Sequence, residues 1–297
     1  MITQLEPAAA LSSFRPGHRF FVGIDSDGCA FDAMEIKHKE CFIPATIRVW
    51  GLQAASTLVR ETAEFVNLYS TTRGQNRWIA LVRVFDLLAA RPEIRARGVR
   101  VPASNRLREF IASGAPLSAA GLRAYAAAHP DPELTTALEW TTAVDAAIAA
   151  MVTGVPPFVG VRESLQAMSG DADLLVVSAT PLEALQREWG EHGLADYMDL
   201  IAGQEMGTKV DHLRLATAGR YDPDHVLLIG DAPGDRDAAV AAGALFYPIN
   251  PGHEEDSWRR FHSEALGHFL AGTYAGGYQE VLVHEFEALL PSSPPWL

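Results

Sequence analysis

A chain of 297 residues, 48% apolar and 21% charged, has the size and balance of an ordinary globular protein with one large domain or a core plus a smaller one. Its net charge of −13 disfavours general binding to nucleic-acid backbones, yet leaves room for a small anion held by local cations or a metal ion. Cys29 and Cys41 are too few for a disulfide framework, and the N-terminal run MITQLEPAAALSSF lacks the basic start and apolar core of a secretory signal. No apolar run reaches the roughly 18 residues of a membrane span, so a cytoplasmic protein with no membrane partner is expected.

The first predicted strand is Arg19 to Ile24, which runs into Asp25-Ser26-Asp27-Gly28. From residue 33 to about 155 no strand pattern follows. Amphipathic helical patterns lie instead at Ala54 to Tyr69, Asn76 to Leu88, Ser104 to Ile111, Ser118 to Ala128 and Pro132 to Met151, separated by Pro and Gly breaks. Pro156-Pro157 marks a return to strand–helix alternation. A helix at Val161 to Met168 precedes a strand at Asp173 to Val177, which ends in Ser178-Ala179-Thr180-Pro181. A helix at Leu182 to Trp189, a short strand at Leu200 to Ala202 and a loop with Lys209 come next. The strand His225 to Ile229 then ends in Gly230-Asp231, followed by a helix at Asp235 to Ala242 and a last short strand at Ala244 to Tyr247.

Continuous apolar strands alternating with helices predict an α/β fold with a doubly wound parallel, Rossmann-like sheet buried on both faces. The expected domains are an α/β core from residues 1–32 and 156–297, and an inserted all-helical domain from residues 33–155. The C-terminal extension, residues 251–297, is expected to carry two helices and to end in PSSPPW as an irregular surface segment.

Four features fall at the C-terminal ends of predicted strands or beside them, the edge at which open α/β sheets bind ligands. Asp25 ends its strand and can act as a nucleophile. Asp27, two residues on, can protonate a leaving oxygen and then deprotonate water. Gly28 permits the turn and lets backbone N–H groups approach a phosphate. Read alone, the run is also an ordinary Asp-Gly turn. Ser178 and the N–H of Ala179 can donate to a phosphoryl oxygen, although a serine there also suits a helix N-cap. Lys209 can offset phosphate charge, or be a solvated surface lysine. Asp231 and Asp235 bracket a Gly/Pro loop and, with Asp25, suit a hard cation such as Mg²⁺; Asp235 also suits a helix N-terminus. Nucleophile, acid/base, hydroxyl donor, lysine and metal-binding acids occur together, each beside a strand of one predicted sheet. That set fits the large electrostatic stabilisation that phosphate-monoester hydrolysis needs.

In order and spacing the set resembles the haloacid dehalogenase (HAD) superfamily of hydrolases, its four motifs being matched by GIDSDG, VVSAT, the loop bearing Lys209, and GDAPGD. The resemblance covers about residues 19–32 and 156–250. It implies a phosphoaspartyl intermediate on Asp25, and Mg²⁺ held by the Asp25 carboxylate, the Asp27 carbonyl and Asp231, with Asp235 as a ligand or just behind one. It implies that Ser178 and Lys209 hold the transferring phosphoryl group. The helical insert is placed like the cap of the phosphoglucomutase-like and phosphonatase-like branches. Dehalogenases of the superfamily do not keep an Asp-Gly pair at Asp27-Gly28, and phosphonatases carry alanine in place of that aspartate, so the resemblance favours phosphate esters. Ser26 departs from the bulky apolar residue many members carry.

The expected function is therefore Mg²⁺-dependent hydrolysis of a small phosphomonoester by a monomer or homodimer. The alternative is a phosphomutase acting on a sugar phosphate with the same nucleophile. A lid over the site would exclude water. Candidate substrate contacts in the insert are Lys37 and His38, which follow soon after the first strand, and Arg73, Asn76 and Arg77, which lie in a break between helices. Both segments can equally be solvated charged surface. Trp50, Phe65, Tyr69 and Trp78 fit the core of the insert itself.

Overall fold

The computed structural model describes residues 7–297, so the start of the N-terminal run, residues 1–6, lies outside the described residues. Five parallel strands form one sheet in the order β3-β2-β1-β4-β5. They are β1 (Phe20–Ile24), β2 (Ala172–Val177), β3 (Leu200–Ala202), β4 (Val226–Gly230) and β5 (Leu245–Pro248). Every residue of β1, β2, β4 and β5 is buried, as continuous apolar strands covered on both faces must be. Helices Val161–Met168, Leu182–Glu191, Lys209–Thr217 and Pro233–Ala242 alternate with the strands. The sheet is the doubly wound α/β arrangement read from the sequence, with strand bounds shifted by one residue at most.

The register sets the functional edge. Ile24 is paired with Val176 on one side and with Ile229 on the other. The residues that follow these three strands therefore emerge at one level of one edge.

The chain divides into two compact units. One comprises Met1–Ala33, described from Pro7, together with Gly154–Leu289; the other comprises Met34–Thr153 with Leu290–Leu297. In the first unit, the segment after β5 forms a helix from Glu254 to Leu270 that widens through a π turn at Phe261–Ala265, and then a helix at Gly277–Ala288. Trp258, fully buried, donates its indole N–H to the carbonyl of Cys29 at 2.8 Å, and the Tyr274 hydroxyl donates to the carbonyl of Phe246 at 2.8 Å. The extension thus seals the α/β core and braces the turn after β1.

The regular elements of the second unit are all helices, around a core that includes Trp78, Trp140, Phe85 and Phe110. The helices Ser56–Asn67, Arg77–Ala90, Asn105–Ala112, Ala119–Ala128 and Pro132–Met151 match the amphipathic patterns. Two differences from the sequence reading have physical causes. Residues 33–49, within the all-helical insert but with no individual helix predicted, are helical: a π turn at Lys37–Phe42 joins Ala33–Ile36 to Ile43–Val49 and breaks the 3.6-residue period. The tail is irregular and largely exposed, as expected, but it belongs to the helical unit rather than to the end of the α/β core. Leu290 and Pro294 are buried, and Trp296 lies beneath the Arg91 guanidinium at 4.2 Å and edge-on to Phe65 at 5.6 Å. These apolar faces join the tail to the helical unit, and a reading of its Pro and Ser content misses them.

Candidate active site

The parallel ladder continues one step past the strand ends. The Asp25 N–H donates to the Ile229 carbonyl at 3.0 Å, the Ser178 N–H to Ala202 at 3.1 Å, and the Ile249 N–H to Gly230 at 2.8 Å. These bonds hold Asp25, Ser178 and the Gly230–Asp235 loop at the same edge. Asp25, Asp231 and Asp235 are all buried, and one carboxylate oxygen from each lies within 4.8 Å of the others.

Lys209 joins two of them. Its Nζ lies 2.6 Å from Asp25 Oδ2 and 2.5 Å from Asp235 Oδ1. The lysine opens the helix Lys209–Thr217, rather than lying free in the preceding loop. Thr208 and Asp211 form a capping box there: the Asp211 N–H donates to Thr208 Oγ1 at 3.2 Å, and the Thr208 N–H donates to Asp211 Oδ2 at 2.9 Å. The fixed helix start aims the lysine.

The Asp25 carboxylate accepts the Ser26 N–H on Oδ1 at 2.8 Å. Asp235 Oδ2 accepts the N–H groups of Asp231 and Ala232 at 3.1 and 3.0 Å. With Oδ1 on Lys209, both oxygens of Asp235 are engaged, so it organises the loop that presents Asp231. Gly230 is required for this packing, because a Cβ there would lie 2.5 Å from the Asp235 side chain. At Gly28 the backbone φ of 76° is the left-handed conformation that glycine adopts without strain.

The electrostatics are unbalanced. Burial raises the Asp25 carboxyl well above the ordinary carboxylate range; Lys209 opposes the rise, while Asp235 and Asp231 add to it. Burial alone would lower Lys209, but Asp235 and Asp25 outweigh it and hold the ammonium charged. One half-buried ammonium, bonded to Asp25 and Asp235, thus serves a cluster of three buried carboxylates. A divalent cation would restore the balance, and an all-oxygen set of carboxylates is what a hard cation such as Mg²⁺ accepts.

Ser178 is buried and does not cap a helix: its Oγ accepts the Thr180 N–H at 3.2 Å, and the helix beginning at Leu182 has Pro181 at its N-cap. Ala179 is exposed at the same turn. The Thr180 hydroxyl donates to Asp27 Oδ2 at 2.9 Å and orients that carboxylate.

In the helical unit the candidate residues have mostly structural partners. Asn76 is the N-cap of the helix Arg77–Ala90, accepts the Trp78 N–H at 3.0 Å and donates to the Leu117 carbonyl at 2.8 Å. Arg77 donates to Thr141 Oγ1 at 2.6 Å and Asp145 Oδ1 at 2.7 Å, with its guanidinium over the Phe42 ring. Arg73 is buried and donates to the Leu68 carbonyl at 2.9 Å. His38 stacks on Phe42 within the π turn that also holds Lys37. Beside that turn, Glu35 accepts from both Lys39 and the Tyr69 hydroxyl.

Sequence reasoning missed Thr180, Glu188 and Trp189. The last two bond to Ser26 from more than 160 residues away, and no local spacing announces such a contact.

No family model matches the sequence, and no curated protein matches it. Among solved structures, the chain is similar to one described as a predicted phosphoglycolate phosphatase from Haemophilus somnus 129pt, at 14% identity and a TM-score of 0.50, over 80% of this chain and 88% of that one. A second, from Lactobacillus delbrueckii subsp. bulgaricus ATCC BAA-365, likewise a phosphoglycolate phosphatase by prediction, is 15% identical with a TM-score of 0.50, over 83% and 92%. A hydrolase of the haloacid dehalogenase-like family from Streptococcus pneumoniae is 15% identical with a TM-score of 0.44, over 82% and 91%. At these identities the likeness is one of fold. With its 3-2-1-4-5 parallel sheet, the chain shares the fold of the Haemophilus and Lactobacillus structures.

Proposed function

We propose that this protein is a phosphatase that hydrolyses a small, soluble phosphomonoester through Asp25. The observation that carries the reading is the buried trio Asp25, Asp231 and Asp235, two of them, Asp25 and Asp235, bridged by Lys209, at the ligand-binding edge of the sheet. In this reading Asp25 attacks phosphorus, and the bond from phosphorus to the ester oxygen breaks. Asp27, oriented by Thr180, gives its proton to the departing alkoxide. Asp27 then takes a proton from water as that water attacks the phosphorus of the acyl phosphate, releasing inorganic phosphate and restoring Asp25. Lys209, the Ser178 hydroxyl and the Ala179 N–H hold the phosphoryl oxygens.

Asp25, Asp231 and the Asp27 carbonyl would hold Mg²⁺, with Asp235 behind them. The ion would neutralise charge on the transferring group. Substrate selection is assigned to the helical unit, acting as a cap, with Lys37 and His38 the first positions to vary. A cytoplasmic location belongs to the same reading; among the described residues no helix is long and apolar enough to cross a membrane.

A panel of metabolite phosphates assayed with Mg²⁺ tests the proposal. It should include phosphoglycolate, the substrate named for two fold relatives. Release of inorganic phosphate that is lost in Asp25→Asn and on chelation supports the reading. Undiminished release by Asp25→Asn removes the nucleophile, and an isomerised phosphate as product makes the protein a mutase instead.

A further inference from the structure

Ser26 stands between the two aspartates assigned to chemistry, where the reaction itself needs no hydroxyl. It is fully buried, and each of its polar atoms is engaged. The N–H donates to Asp25 Oδ1 at 2.8 Å. The carbonyl accepts the N–H groups of Cys29, Ala30 and Phe31 at 3.3, 2.9 and 3.0 Å, closing the turn behind the nucleophile. The hydroxyl donates to Glu188 Oε2 at 2.8 Å and accepts the Trp189 indole N–H at 2.9 Å. One residue thus ties the Asp25 carboxylate, its turn and the helix Leu182–Glu191 together.

The same helix is joined to the nucleophile loop twice more. Phe31 packs edge-on against Trp189 at 5.4 Å, and Thr180, just ahead of the helix, donates to Asp27. A buried hydroxyl is costly unless paired, and an apolar residue at position 26 would deprive both Glu188 and Trp189 of this partner. Near-attack geometry is sensitive to such anchoring, since a displacement of about 1 Å can cost about 100-fold in rate.

We infer that Ser26, braced by Glu188 and Trp189, is a positioning residue that holds the Asp25 carboxylate in line for attack. The inference rests on the phosphatase reading of Asp25. It adds a link from the helix after β2 to the nucleophile, a link made by side chains rather than by the sheet.

The test uses the full chain with Mg²⁺ and p-nitrophenyl phosphate, alongside the ester panel. Ser26→Ala should lower kcat about 10- to 100-fold and leave KM within about threefold. Glu188→Gln keeps an acceptor for the hydroxyl and should retain most of kcat, whereas Glu188→Ala should fall as Ser26→Ala does. Ser164→Ala is the matched control: this buried serine bonds only within its own segment, to the Gly160 carbonyl at 2.7 Å. It should lower the melting temperature comparably and leave kcat unchanged. A Ser26→Ala kcat within twofold of wild type, or a loss equalled by Ser164→Ala, overturns the positioning role and leaves the nucleophile reading intact. If Ser26→Ala does not fold, the Glu188 pair decides, and equal wild-type kcat in both variants overturns the role. A wild-type chain that hydrolyses no ester overturns the phosphatase reading and this inference with it.

Discussion

The edge of the sheet and the Arg73–Arg77 segment of the helical unit are both polar breaks between regular elements, but their charged groups behave in opposite ways. At the edge, three buried carboxylates gather with one ammonium, which is bonded to two of them, and leave negative charge uncompensated. In the helical unit, Arg77 and Asn76 find hydroxyl, carboxylate and carbonyl partners that complete the unit's own structure. A satisfied charge stabilises a fold, whereas a buried, uncompensated cluster calls for a ligand. Substitutions should therefore separate the two regions: changes at the edge should act on turnover, and changes in the helical unit on stability.

Lys209→Met is the severest way to press this contrast. It removes the only cation bonded to Asp25 among the described residues, so release of phosphate should fall about 1,000-fold or more. A loss below tenfold would return Lys209 to the status of a structural lysine. Gly230→Ala forces a methyl group against Asp235, with contacts of 2.5 Å. Turnover should drop about 100-fold, with a stability cost of about 1–3 kcal/mol in urea titrations. Wild-type turnover in this variant would show that the 230–235 loop is not held for chemistry.

His212 sharpens the contrast from inside the α/β unit. It lies one turn along the helix from Lys209, fully buried, and burial lowers its pKa to about 4. The unfolded chain takes up this proton near pH 6.5 and the folded one only near 4, so its contribution to stability is complete above about 6.5. It is lost as pH falls through that window, at no more than about 1.4 kcal/mol per pH unit. Denaturation at pH 7, 6 and 5 should show wild type weakening more steeply than His212→Gln; parallel curves would remove this histidine from the balance. Arg77→Ala should have the smallest effect. It should cost about 1 kcal/mol and leave kcat/KM within about threefold. A large rise in KM would restore Arg77 as an anion-binding residue and blur the contrast.

Much of the α/β unit was legible in the chain because strands buried on both faces are apolar over most of their length, and their C-terminal ends are marked by the first polar residue beyond that run. Asp25, Ser178 and Asp231 each occupy such a position, and the register brings them to one edge. Lys209 was visible as a lysine after a strand, but its aim depends on the Thr208–Asp211 cap. The Ser26–Glu188–Trp189 link was not visible, because its members meet only once β1 and β2 are paired. In the helical unit, charge alone was misleading. Arg73, read as an anion-binding residue or solvated surface, is buried, the π turn hides a helix, and Trp296 carries the tail to Arg91 and Phe65.

In the proposed reaction Asp25 carries the phosphoryl group. Acid-quenching the wild-type chain during turnover of its best ester with Mg²⁺, followed by mapping of protein-bound phosphate, tests it directly. An acid-stable, hydroxylamine-labile phosphoryl group on the peptide that contains Asp25, absent from Asp25→Asn, is the expected result. Steady phosphate release with Asp25→Asn as active as wild type, or with the label on another residue, would contradict it.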